Sequence, residues 1–180
     1  RLMRETLEYI VLLRGVTPRG KNSIPKMSYL VEVLKDVGFN KVRTYIQSGN
    51  IILETSLEIC EINRLINKTI KEKIGADLKV ITKTKDDFRK VVDKNPFRNG
   101  NYIYSRVHVV FCQKKINELP LEKILGDYGE EEIFVGDDCL YLYLPRTATH
   151  KKLNTNYLER LLGEDMTMRK INVVNKLLTK

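Results

Sequence analysis

Apolar residues along this chain alternate between strand-like runs and helical stripes. Tyr9 to Leu13 form an unbroken apolar run ending at Arg14-Gly15, which reads as a buried strand. A loop through Pro18, Arg19, Gly20, Lys21 and Asn22 follows. Ile24-Pro25 then marks a helix start, because proline is tolerated at the first helical position. Met27, Leu30, Val31, Leu34 and Val37 recur at three-to-four spacing until Gly38 stops them. Segments 41–47 (KVRTYIQ) and 50–54 (NIILE) read as two strands joined through Ser48-Gly49, a hairpin. Ile59, Ile62, Leu65, Ile66, Ile70 and Ile74 make the clearest helical stripe, ended by Gly75, and 77–82 is a short strand. The order is β-α-β-β-α-β, the split βαβ or ferredoxin-like arrangement. In that arrangement the first strand pairs antiparallel with the third, which brings Asn50 beside Arg14-Gly15.

The second half repeats the theme less regularly. Thr84 to Asp87 reads as a capped helix start leading into Phe88, Val91 and Val92, and Asn95-Pro96 ends it. Segment 106–112 (RVHVVFC) suggests a central strand, and a short helix over Leu121–Leu125 precedes a hairpin turning on Gly136-Asp137-Asp138. After Pro145 a helix uses Leu153, Tyr157, Leu158, Leu161 and Leu162 up to Gly163, and a last helix uses Ile171, Val174, Leu177 and Leu178. This half reads β-α-β-β-α-α. The predicted fold is therefore α+β: two packed ferredoxin-like (split βαβ) subdomains, the second degraded, with C-terminal helices. The expected boundaries are 1–83 and 84–180.

Charge adds a candidate surface. The net charge is +9, made of +5 over residues 1–50, −1 over 51–144 and +5 over 145–180. If the two basic ends meet in space, they form one face able to attract phosphates. The competing reading is solubility from scattered lysines. No run approaches the ~20 apolar residues that cross a bilayer, so no membrane partner is expected. The start lacks the pattern of a signal peptide. Cys60, Cys112 and Cys139 lack CxxC spacing and fit reduced thiols, so the expected location is cytoplasmic.

Three motifs could carry chemistry. Gly15 to Asn22 nearly spells a P-loop, but Asn22 replaces the hydroxyl, Pro18 removes an amide donor and the helix starts too late. A non-hydrolytic anion loop using Arg14, Arg19, Lys21 and Asn22 fits better, against the alternative of an ordinary strand-to-helix turn. At the hairpin tip, Gln47 and Asn50 either contact a ligand beside that loop or serve turn chemistry. Near the end of the chain, Arg146, Lys152 and Arg169 could meet phosphate oxygens, with Asn154 and Asn172 as neutral donors, or the segment is a solvated basic surface. Tyr102, Tyr104, Tyr141 and Tyr143 alternate in strand-like runs and could show rings on one sheet face, as proteins binding single-stranded nucleic acid do, or be covered. His108 lies in an apolar strand and His150 beside two lysines, without metal-ligand spacing. No metal and no cofactor are expected.

LLRGVTPRGKNSIP (12–25), TYIQSGN (44–50) and parts of the terminal segment, namely Arg169, Asn172, Val174 and Lys176, give the chain a family likeness. It resembles the bacterial domain-of-unknown-function family numbered 1697 over almost its whole length. Lys26 separates Pro25 from Met27, Arg19 replaces a glycine, and no tryptophan stands near Lys170-Ile171-Asn172, where that family's pattern differs. The resemblance implies a bacterial cytoplasmic α+β protein and no established activity.

Three functional classes follow. The first is a non-catalytic protein binding a phosphate-bearing ligand, nucleic acid foremost, on a basic face. The second is an enzyme acting on a small phosphorylated metabolite at the same loop. The third is a structural module that pairs two copies as a homodimer. The first reading expects Lys21, Asn22 and Asn50 within one ligand-sized patch, together with at least one of Arg146, Lys152 or Arg169.

Overall fold

The computed structural model describes residues 4–180 and divides the chain into two compact units. One runs to Lys85 and includes Lys180; the other is Asp86–Thr179.

In the first unit, β1 (Leu7–Arg14) is followed by α1 (Met27–Asp36), β2 (Asn40–Thr44), β3 (Asn50–Thr55), α2 (Ile59–Lys73) and β4 (Lys79–Thr84). The sheet order is β2-β3-β1-β4, and every neighbouring pair is antiparallel. Tyr9, Val11 and Leu13 of β1 face the helices and pack with Leu30 and Leu34 of α1 and Ile62, Ile66 and Ile70 of α2. Ile10, Leu12 and Ile52 point to the opposite face and are also fully buried. Burial on both faces explains why β1 reads as a continuous apolar run rather than an alternation.

Three boundaries differ from the sequence pattern, one of them β4, which runs Lys79–Thr84 rather than 77–82. The first helix begins at Met27 rather than Pro25, because Lys26 stays extended with φ −143°. The second strand stops at Thr44 instead of continuing to Gln47, since Ile46 turns to φ +50° and ends the ladder.

The second unit takes up α3, which spans Lys85–Asp93 across the division, followed by β5 (Val107–Cys112), β6 (Glu132–Val135) and β7 (Leu140–Tyr143). Then come α4 (Thr155–Leu162), β8 (Met166–Lys170) and α5 (Ile171–Leu177). Its sheet order is β6-β7-β5-β8, again antiparallel throughout. The first strand of each sheet thus takes the same inner place, flanked by the third and fourth. Where the first unit has α1, the second has only 3-10 turns over Ile116–Glu118 and Leu121–Ile124. The helix expected at Leu121–Leu125 is therefore a 3-10 turn, entered from Pro120, which has no N–H to give.

Strand β8 is an element the apolar pattern does not reveal. MTMRK has two methionines and no β-branched aliphatic residue, yet Met166 and Thr167 are buried against β5. The chain turns from β8 directly into α5. On one face of this sheet Val110, Cys112, Leu140 and Leu142 pack with Leu158 and Leu162 of α4. Phe88 of α3 stacks on Phe111 of β5 at 4.9 Å, and the Tyr141 hydroxyl donates to the Val91 carbonyl at 2.8 Å.

Candidate anion-binding site

Strand β1 delivers Arg14, half-buried, to the end of the first sheet, and Gly15 turns the chain with φ +98°. The following loop closes on itself. Thr17 N–H donates to the Asn22 carbonyl (3.1 Å), the Thr17 hydroxyl to the Arg19 carbonyl (2.8 Å), and Ser23 N–H and Oγ to the Gly20 carbonyl (3.2 and 2.7 Å). Two backbone amides are thereby spent inside the loop, which leaves it unable to wrap a phosphate as a P-loop does. Arg19 and Lys21 project from it, both exposed. Asn22 ties the loop down, its Oδ1 accepting from Asp77 N–H at 3.2 Å.

The hairpin tip lies alongside. Leu12 stands opposite Asn50 in the β1–β3 ladder, and Leu13 N–H donates to the Gly49 carbonyl at 2.9 Å. Gly49 has φ +81°, and a Cβ there would lie 2.8 Å from the Leu13 Cβ, so only glycine allows this approach. Asn50 is fully buried; its amide donates to the Tyr45 carbonyl (3.1 Å) and the Ser48 hydroxyl (2.9 Å). It builds the turn and does not reach solvent. Gln47, at the tip, is exposed.

The electrostatics of this end are one-sided. Arg14 pairs in register with Lys79 of β4, and Lys71 of α2 approaches the Asp77 carboxylate at 3.5 Å. A hydrogen bond from Asn67, then the charges of Lys71 and Lys79, hold Asp77 below the usual carboxylate range against partial desolvation. The wider distribution agrees. The first unit carries seventeen Lys and Arg against nine Asp and Glu, a net +8, whereas the second carries fifteen against fourteen, a net +1. The basic C-terminal stretch is thus balanced by acidic residues of its own unit.

Of the candidates in that stretch, Arg146 is exposed after β7, and Lys152 is exposed with its Nζ 5.5 Å from the centre of the Tyr157 ring. Asn154 caps α4, its Oδ1 accepting from Tyr157 N–H at 2.8 Å. Arg169, half-buried on β8, donates to the Thr167 hydroxyl (2.6 Å) and the Met168 carbonyl (3.1 Å). Asn172 Oδ1 accepts from Val173 N–H at 3.1 Å at the start of α5. Asn154 and Asn172 thus use their side-chain oxygens within their own helices, and Arg169 is held by its own strand.

Sequence reasoning missed what shapes the segment before α4. Glu131, 4% exposed, accepts from Lys152 N–H (2.7 Å) and Leu153 N–H (2.9 Å), and Glu130 accepts from Thr149 N–H at 3.3 Å. In the sequence these residues look like any surface charge run, with no local signal of burial.

The tyrosine rows do not form an open platform. Tyr141 and Tyr143 are buried, and the Tyr143 hydroxyl accepts from Ile103 N–H at 3.0 Å. Tyr102 donates to Glu132, which with burial raises its pKa; Tyr104 is the exposed member of the set. His108 is buried in β5 with Nδ1 3.2 Å from the Arg106 carbonyl, and burial pulls its pKa down. Among the described residues, no group of three or more His, Cys, Asp or Glu side chains is placed to hold a metal ion. No helix among them is long and apolar enough to cross a membrane.

Among the described residues, two four-stranded antiparallel sheets with five α-helices define a mixed α+β protein, and its first unit carries a basic loop end. Residues 7–141 match the family described as Protein of unknown function (DUF1697), and the chain belongs to that family. The match stops short of the terminal segment that holds Arg169 and Asn172. Among solved structures, the chain is similar to the conserved bacterial protein SP0830 from Streptococcus pneumoniae. The TM-score is 0.76 at 19% identity, covering 97% of this chain and 98% of the other, a likeness of fold. No curated protein matches the chain.

Proposed function

We propose that the loop end of the first unit is a non-catalytic binding site for a phosphate-bearing ligand, in a cytoplasmic protein. The observation that carries this is the gathering of Arg14, Lys79 and the loop bearing exposed Arg19 and Lys21 at one sheet end, in the unit that holds +8 of the net charge. Exposed Arg19 and Lys21 on a self-closed loop supply charge without a flexible loop having to be ordered on binding. We infer also that both units are variants of the ferredoxin-like plan, the second having 3-10 turns in place of its first helix; their common strand order supports this.

Inorganic polyphosphate is the direct probe. The wild-type chain binds it with an affinity that falls linearly on a log–log plot against salt, and the Arg19→Ala, Lys21→Ala double variant lowers that slope by about two. An unchanged slope removes the loop from the site.

A further inference from the structure

The loop end of the first unit carries two features that phosphate alone does not require. Ile46 sits at φ +50°, a conformation that a β-branched residue holds only under constraint, and the residue is 52% exposed. The constraint is visible in the turn. Leu13 N–H grips the Gly49 carbonyl on one side, and the buried Asn50 amide grips the Tyr45 carbonyl and the Ser48 hydroxyl on the other. A branched apolar side chain is thereby held out in water at a hairpin tip that Gly49 joins to the end of β1 and to Val16, where the basic loop starts. Tyr29, in the first turn of α1 at the same end, is 40% exposed, and its hydroxyl donates to the Lys73 carbonyl at 3.3 Å. A ring tethered by its tip offers a fixed face.

We infer that this end takes single-stranded nucleic acid, with phosphates on Arg19 and Lys21 and unstacked bases against Ile46 and Tyr29. The inference rests on the phosphate-binding reading above and adds the contacts that distinguish a base from a bare phosphate. Single strands are held where cationic side chains track the backbone and rings or apolar wedges receive the bases. A duplex keeps its bases stacked and gives Ile46 and Tyr29 nothing to contact. A small metabolite calls for an enclosing pocket, whereas Arg19, Lys21, Ile46 and Gln47 are all exposed. A lipid surface calls for a continuous apolar face, which two apolar side chains among several cations do not supply.

The test is fluorescence anisotropy of labelled oligothymidylate with the wild-type chain, Ile46→Gly, Tyr29→Leu and the Arg19→Ala, Lys21→Ala double variant. Inorganic polyphosphate serves as the baseless competitor. Glycine accepts the positive φ, so Ile46→Gly folds, with a thermal midpoint at or above that of the wild type. Ile46→Gly and Tyr29→Leu are each expected to weaken oligothymidylate about tenfold and to leave polyphosphate unchanged, while the double variant weakens both ligands. If polyphosphate binds but neither Ile46→Gly nor Tyr29→Leu alters oligothymidylate affinity, the base contacts are refuted and the phosphate site stands. Duplex binding as tight as single-strand binding, or tighter binding to anionic vesicles, overturns the inference in the same way. If neither oligothymidylate nor polyphosphate binds at low salt, the phosphate site falls as well.

Discussion

Glu8 shows how a single carboxylate is settled by its neighbours. Lys85 Nζ lies 2.6 Å from one oxygen and an Arg43 nitrogen 2.8 Å from the other, with 26% of the Glu8 side chain exposed. Burial pushes its pKa up, but the hydrogen bonds and charges of Lys85 and Arg43 outweigh it, and the net result lies below the ordinary 4.5. A lowered carboxylate pKa stabilises the folded state above the unfolded value, and that gain is lost as pH falls through the folded one. Glu8→Gln should therefore cost about 1–2 kcal/mol at neutral pH, the range for a partly buried hydrogen-bonded charge. In urea titrations the gap between wild type and variant should persist down to about pH 4.5 and close below it. A gap independent of pH would assign the loss to packing instead.

Among the elements, α4 is the one whose ends are both set by single residues. Asn154 caps its start, and Gly163 ends it at φ +74°. Asn154→Ala should lower stability by about 1 kcal/mol, read as a shift in urea midpoint with unchanged slope; Asn154→Asp should restore most of it. This stretch also shows the limit of what a sequence discloses. Periodicity located α4 because Leu158 and Leu162 follow a helical stripe, but the asparagine before it read as a neutral ligand donor or part of a solvated surface, and its capping role was not legible. Strand β8 stayed hidden because Met166 and Met168 carry no strand preference; tertiary pairing with β5 makes it a strand. At the hairpin, the tight turn was legible in Ser48-Gly49, while the left-handed Ile46 was not, since nothing local predicts a β-branched residue there. The pairing that places the tip beside the loop was legible, because it follows from strand order.

At the scale of the whole molecule, one strand order serves two chemically different units. A sequence-wide count puts the positive excess at both chain ends, yet grouping residues by unit moves nearly all of it into the first. A linear charge block leaves out the rest of its own unit, and here residues 86–144 carry three more acidic than basic residues. Titrating inorganic polyphosphate into the isotope-labelled chain should shift backbone amides in 14–22 and 77–79 and leave those of 155–177 in place. Shifts centred on α4 and α5 would move the site to the second unit.

The close approach at Gly49 ties the hairpin tip to a distant part of the chain. The tip of the β2–β3 hairpin is not held by that hairpin alone, because one of its clamps comes from Leu13, thirty-six residues upstream in β1. The tip that carries Ile46 is therefore fastened both locally, by Asn50, and across the sheet, by β1. Its geometry depends on the β1–β3 pairing as well as on the local sequence that spells it.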